Sequence, residues 1–486
     1  MRIFIIPFLS LFILLPCVNT QARIIHVPSD SSTIQAGING AVDGDTVLVA
    51  RGHYYERINF LGKAILVASN FIFDLDTTTI DSTIIDADTL VLGVSDQGSV
   101  VTFAAREGLT SVIEGFTIKN GIGTVGGMFT NRRGGGIICM NYSSPTIINN
   151  LITHNSANWG GGIHCYRYSS PFIANCTIAG NSGWEAGGIS CDDNASPTIN
   201  NNIIAGNTAG AGGGIECYRY SLAIITGNTI AGNFASVFGG GIYCFQEGGF
   251  IIRNNIITHN YAGYYGGGIE CNISYPSIIN NTIAYNTAHS VGSGISLHTL
   301  PLLTIRNNII SNNVCETYGG GISCWSGDLP SIFYNDVWNN IGGNFYNCSE
   351  ILGDTTWGTN FNGMPCDSFY NIISAPLFAD TITFKLLCNS PCVDGGDPTS
   401  SVPIDSGGCR IDMGAREYPY ILGDANSDSS INVVDVVFVI NYVYIDGPSP
   451  CPYHAADANC DGLADIEDVI CLIKYLFLRG PLPCGF

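Results

Sequence analysis

Through the middle of the chain, apolar runs of three to five residues alternate with Gly, Asn or Ser-Pro punctuation. One unit reads GGIHC, SPFIA and CTIAG in succession. Runs this short cannot be helices, and they are too evenly spaced for a sandwich. The phrase GGGIIC (Gly134–Cys139) recurs as GGGIHC (Gly160–Cys165), AGGISC (Ala186–Cys191), GGGIEC (Gly212–Cys217) and GGGIYC (Gly239–Cys244). It continues as GGGIEC (Gly266–Cys271), GSGISL (Gly292–Leu297) and GGGISC (Gly319–Cys324), always 26 or 27 residues apart. A column of Asn155, Asn181, Asn207, Asn233, Asn260, Asn286, Asn313 and Asn340 keeps the same step, with Asn120 read as its member one unit early. A fixed period of this size means a stacked array. Three short strands per period predict one coil of a parallel β-helix, with equivalent positions stacked ~4.8 Å apart. Glycines supply one tight corner, and Asn side chains pair along the stack at another.

Strand alternation in GGI-x-C puts Ile and Cys on the core side. Leu297 fills one slot of the Cys column, so the column wants a small hydrophobe and reads as a ladder of buried thiols. Cys348, Cys366, Cys388, Cys392, Cys409, Cys451, Cys460, Cys471 and Cys484 lie in irregular segments and are the better disulfide candidates. Ser32–Ala41 reads as a short amphipathic helix with Ser32 and Gln35 placed as a capping box; it covers the open end of the stack before a first strand at Thr46–Ala50. Residues 121–133 insert a loop. Regular coils span about 115–340, and an irregular cap of 341–420 completes a solenoid of 23–420.

The apolar run Ile3–Leu15 follows Arg2 and leads to Thr20-Gln21-Ala22, which predicts a secretory signal peptide over 1–22 and no membrane span. The expected location is therefore extracellular or at the cell surface. With 18 basic and 39 acidic residues the chain carries a net charge of −21, which argues against nucleic acid as a partner.

Residues 421–486 change character, with two helical stretches predicted at Val436–Val443 and Val469–Phe477. Each follows spaced oxygen ligands. These are Asp424, Asn426, Asp428, Ser430, Asn432 and Asp435, then Asp457, Asn459, Asp461, Leu463, Asp465 and Asp468. Positions 1, 3, 5, 7 (through the backbone), 9 and 12 of a twelve-residue loop are those a hard cation such as Ca²⁺ requires. Gly462 stands at position 6 of the second loop, but Ser429 stands there in the first, which predicts strain. From Gly423 to about Pro483 this pattern resembles a type I dockerin. The resemblance implies two Ca²⁺ sites and a cohesin partner. The partner-contact positions map to Val433-Val434 and Ile466-Glu467, without the small hydroxyl residues common there.

Residues 24–420, opening with TIQAGINGAVDGDTVLVARGHYYE, resemble the right-handed parallel β-helix, pectate-lyase-like superfamily. The fold class expected is all-β, a right-handed parallel β-helix with a small α-helical dockerin domain. Many relatives act on acidic polysaccharides and others are surface proteins without activity. The variable letter of GGI-x-C, and the residue after the Cys, are read as one exposed face. From that face Glu216, Glu270 and Asp192 are the candidate catalytic residues. His164, Tyr166, Arg167, Asp193, Tyr218, Arg219, Tyr243 and Phe245 are the candidate substrate contacts. Two coils separate Glu216 from Glu270, ~9.6 Å at the strand spacing, near the upper end for an inverting glycosidase. A lyase would instead use Asp192 and Asp193 to hold Ca²⁺ and Arg219 as base. The expected function is a secreted protein that binds polysaccharide, or cleaves it as a glycoside hydrolase or polysaccharide lyase. The alternative is a non-catalytic surface scaffold.

Overall fold

The structure, a computed structural model, describes residues 22–88, 91, 98–125, 131–298, 303–325, 331–402, 408 and 410–485. Residues 1–21 of the expected signal peptide, 126–130 of the expected insertion and Cys409 lie outside the described residues. Four sheets of twelve, eleven, eleven and nine strands run the length of a β-solenoid. A representative coil contains Ile163–Tyr166, Phe172–Ala174, Thr177–Ala179 and Ser182–Glu185, each paired in parallel with the equivalent strand one coil on. The sequence predicts three strands per coil, not four. Runs such as SANW, SGWE and TAGA carry small or polar residues, and backbone pairing to neighbouring coils makes them strands.

One continuous apolar core runs from Ile25 to Val337. Cys139, Cys165, Cys191, Cys217, Cys244 and Cys271 form the expected buried, unbridged ladder. Its last member, Cys324, instead joins Cys348. Two further disulfides link Cys388 with Cys451 and Cys460 with Cys484.

The Asn column forms a hydrogen-bonded ladder. Asn181 Nδ2 donates to Asn207 Oδ1 at 3.1 Å and to Ile152 O at 2.9 Å, and Asn181 N donates to the same Asn207 Oδ1 at 3.0 Å. A second ladder runs through Asn202, Asn228, Asn255, Asn281, Asn308, Asn335 and Asn371 at the preceding corner. Asn120 is out of the predicted register by one residue. Its φ is 62° and its side chain bonds Asp86. Gly121 takes the rung, donating to Asn155 Oδ1, because a Cβ there would meet Gly135 O at 1.9 Å.

A strand, Ile24–Val27, precedes the capping helix Ile34–Gly40. The N-cap is Thr33 and not Ser32, and the Glu56 carboxylate accepts from Ile34 N and Gln35 N, where the helix dipole favours an anion. At the other end, helices Val433–Ile445 and Ile466–Leu478 begin earlier than predicted. The position-9 residues Asn432 and Asp465 serve as N-caps, with Asp435 and Asp468 completing capping boxes. This C-terminal unit is fastened to the cap of the solenoid. Besides the Cys388–Cys451 disulfide, His454 Nε2 lies 2.8 Å from Asn362 Oδ1, and its ring stacks on Phe361. Among the described residues no helix is long and apolar enough to cross a membrane.

Candidate functional site

The face expected to be exposed is covered. Glu270 and His164 are 0% exposed, Glu216 3%, Asp192 5% and Tyr243 6%. The first glycine of each phrase explains this. Gly266, at φ +66°, turns the chain back over its own strand so tightly that a Cβ would lie 2.5 Å from Glu270 Cβ. The ends of the fourth-sheet strands then form a roof over the outward side chains. Its column runs from Trp159 through Glu185, Ala211, Phe238, Tyr265 and Val291 to Tyr318. Reading the glycines only as a corner misses this roof.

Beneath it, the register places Ser190, Glu216, Tyr243, Glu270, Ser296 and Ser323 on successive rungs. Tyr166 pairs with Asp192 in the flanking column. Tyr166, Tyr218 and Phe245 are half-buried at the edge of the roof, and the last two rings stack 5.4 Å apart. Arg167 and Arg219 are exposed, each lying over the tyrosine ring before it. Asp193 Oδ2 faces Arg167 Nε at 3.8 Å, and its charge also acts on Asp192.

Burial sets the protonation of this row. It pushes the Glu216 carboxyl well above the usual range, and the adjacent Glu185 carboxyl pushes it further. Asp192 is raised to about 6 by burial, which the Arg219 charge partly offsets. Burial also raises Glu270, against the opposing effect of His298. Burial works against the Arg219 cation, but hydrogen bonding to Tyr218 and the charge of Asp192 outweigh it and raise its pKa. Arg219 therefore stays charged in the resting chain.

Several buried polar atoms here have no hydrogen-bond partner: His164 Nε2, Asp192 Oδ1, both Glu270 oxygens, Ser296 Oγ, His298 Nε2 and Ser323 Oγ. His298 Nδ1 is 3.0 Å from Glu270 Oε1, an ion-pair distance, yet neither carboxylate oxygen has a well-aligned donor. Leaving one such group unsatisfied costs about 1–3 kcal/mol, and these atoms gather on one face. The face read from the sequence lacks Glu185 and Tyr265; His298 stands in its column after the Cys but is not among the candidate site residues. Only the GSGISL variant, which breaks the repeat just before His298, singled out that coil.

The two acidic loops repeat one geometry. Asp424 accepts from Asp428 N and Ser429 N, and Asp457 accepts from Asp461 N and Gly462 N. Asp435 accepts from Asn426 N and Asn432 N, and Asp468 from Asn459 N and Asp465 N. Asp435 and Asp468 are fully buried, and burial together with the neighbouring aspartates raises both carboxyls. Among the described residues no three His, Cys, Asp or Glu side chains cluster tightly enough to hold a metal alone. A cation in either loop therefore needs the amide and backbone oxygens as well. An all-oxygen set with gathered negative charge fits Ca²⁺. Ser429 adopts φ 71° where Gly462 has 94°, so the strain predicted for the first loop is present.

The dockerin type I domain family matches residues 422–477, and the right-handed β-helix region family matches 76–238 and 208–338. None of the curated proteins compared matches the chain. Among solved structures, the crystal structure of pectate lyase Pel9A is similar at 16% identity with a TM-score of 0.51, covering 82% of this chain and 97% of that one. At that identity the likeness is one of fold. With more than half of its length matched, the chain belongs to the right-handed β-helix family and carries a dockerin type I domain at its C-terminal end.

Proposed function

We propose that the protein works outside the cell, where its dockerin domain attaches to a cohesin partner and its β-helix binds polysaccharide along the roofed face. The single observation behind this reading is the row of buried carboxyl groups, Asp192, Glu216 and Glu270, each raised by that burial above the usual carboxylate range. Groups tuned this way are suited to proton transfer. In an enzyme of this kind Glu216, paired with Glu185, donates a proton to the departing sugar oxygen. Glu270 and Asp192 supply the base on either side. Tyr218 and Phe245 stack on sugar rings, with His164, Tyr166 and Tyr243 forming the walls, while Arg167, Asp193 and Arg219 rim the outer edge. The same set serves glycoside hydrolysis, with Glu216 as the acid, or lyase chemistry, with Arg219 as the base.

Ca²⁺, held by Asp424, Asn426, Asp428, Asn432 and Asp435 and by their counterparts in the second loop, supplies folding energy to the dockerin. Val433 and Val434, 53% and 51% exposed, and Ile466 offer an apolar contact for a cohesin. A scaffold without activity is the competing reading, favoured by the roof that covers Glu216 and Glu270. Assay of the purified protein on a polysaccharide panel, alongside Glu216→Gln, Glu270→Gln and Asp192→Asn, separates the two. Activity lost in these variants supports the enzyme. Activity unaffected by all three removes the proposed centre, and neither activity nor binding leaves the scaffold.

A further inference from the structure

One end of the roofed face differs chemically from the rest. Glu270, Ser296 and Ser323 occupy three successive rungs, all fully buried. Glu270 Oε1 lies 3.0 Å from His298 Nδ1, and the Ser296 hydroxyl also faces that carboxyl, while Ser323 Oγ and His298 Nε2 lack hydrogen-bond partners. Beside this polar floor the rings of Tyr265, His298 and Trp325 pack edge to face. Their centroids are 5.0 Å apart for Tyr265–His298, 5.6 Å for Tyr265–Trp325 and 4.5 Å for His298–Trp325. Trp325 is 51% exposed, and the stacked pair Tyr318–Tyr346 extends the aromatic surface over the next coil. Val291 stands between Tyr265 and Tyr318 in the roof column.

The charges here also differ. The arginines of this face, Arg133, Arg167 and Arg219, lie over Tyr166 and Tyr218 on earlier coils. From Glu270 to Tyr346, the described residues of the roof column and the two outward columns include no Lys or Arg. The flanking His289–Glu316 ion pair, at 2.6 Å, adds another carboxylate. A uronate placed here would find no Lys or Arg to receive its charge, in a protein of net charge −21. Burying an unpaired charge is strongly unfavourable, whereas hydroxyls can satisfy donors and acceptors alike.

We propose that this end is a binding subsite for a neutral sugar residue, stacked on Trp325 with its hydroxyls directed at His298 Nε2 and Ser323 Oγ. The proposal rests on the polysaccharide-binding reading and narrows it, since the fold alone suggests an acidic polymer. The test titrates the calcium-loaded full chain with cellohexaose, xylohexaose and mannohexaose, and with hexagalacturonate, by calorimetry and tryptophan fluorescence. At least one neutral hexaose should bind about tenfold or more tighter than hexagalacturonate and quench fluorescence. Trp325→Ala should weaken that binding about tenfold, the loss of one stacking contact. Ser323→Ala, which removes only a hydroxyl, gives an independent check and should weaken it severalfold. Hexagalacturonate binding as tightly as the neutral hexaoses overturns the proposal and leaves the polysaccharide reading standing. Neutral binding insensitive to both variants does the same. Failure of all four sugars to bind overturns both.

Discussion

The ring of Phe361, in the cap of the β-helix, packs so closely on Gly462 of the second acidic loop that a Cβ there would meet Cε2 at 2.9 Å. With φ at +94° this glycine cannot be replaced without strain. The second loop is thus shaped jointly by its own sequence and by the solenoid beneath it, whereas the first loop tolerates Ser429 at the same position.

Gly462→Ala should therefore weaken calcium binding at one of the two loops and destabilise the C-terminal unit by about 1–3 kcal/mol, the usual range for a strained backbone position. Calorimetric calcium titration and chemical denaturation measure the two effects. Phe361→Ala in the same chain should recover part of the loss, because it removes the clash and leaves only the strained φ. No recovery would mean that Phe361 does not constrain the loop.

The Asn ladder makes a second expectation. Asn207 Oδ1 receives both Asn181 N and Asn181 Nδ2, and its own Nδ2 donates to Asn233 Oδ1 and Ile178 O. Asn207→Ala strands these buried groups, at about 1–3 kcal/mol for each one left unpaired. Exchange of Asn207 for Asp keeps the acceptor but loses the donors, so it should cost less than Ala only while the acid is protonated. Denaturant midpoints at two pH values distinguish the variants.

Asp192 carries a pH signature. Its folded pKa is raised to about 6 from 3.8, so the folded chain binds more protons than the unfolded one between those values. Stability from this group is fully present below about 3.8 and is lost as pH rises toward 6. Asp192→Asn should match wild type at pH below 4 and exceed it at pH 7–8 by on the order of 3 kcal/mol. A difference that does not vary with pH would contradict the burial argument.

Leu297 separates the thiol ladder from the bridged Cys324, since it pairs with Cys271 on one side and Cys324 on the other. Leu297→Cys should close the gap. Its thiolate can attack Cys324 Sγ, forming a 297–324 bond and releasing Cys348 as a free thiol. Peptide mapping after alkylation should then find Cys348 labelled in the variant and not in wild type.

Much of this was legible in the chain itself, because a solenoid is close to one-dimensional. The 26- and 27-residue steps place Ile163 over Ile189 and Cys165 over Cys191, and each coil contacts only its neighbours. Likewise the spacing from Asp457 to Asp468 determines a cation loop, since every ligand lies within twelve residues. Contacts that cross between segments were not legible. Which cysteines join, as Cys388 does with Cys451 over 63 residues, depends on how the C-terminal unit folds back on the cap. The roof was hidden for a related reason. Alternation tells which way Glu216 and Glu270 point, but not whether anything lies above them. That is decided by the turn at Gly212 and Gly266 and by the fourth-sheet strand arriving before it, which carries Glu185 to Glu216 and Tyr265 to His298. Pattern along the chain determined the inside of the helix, and only the tertiary path decided what its outside face meets.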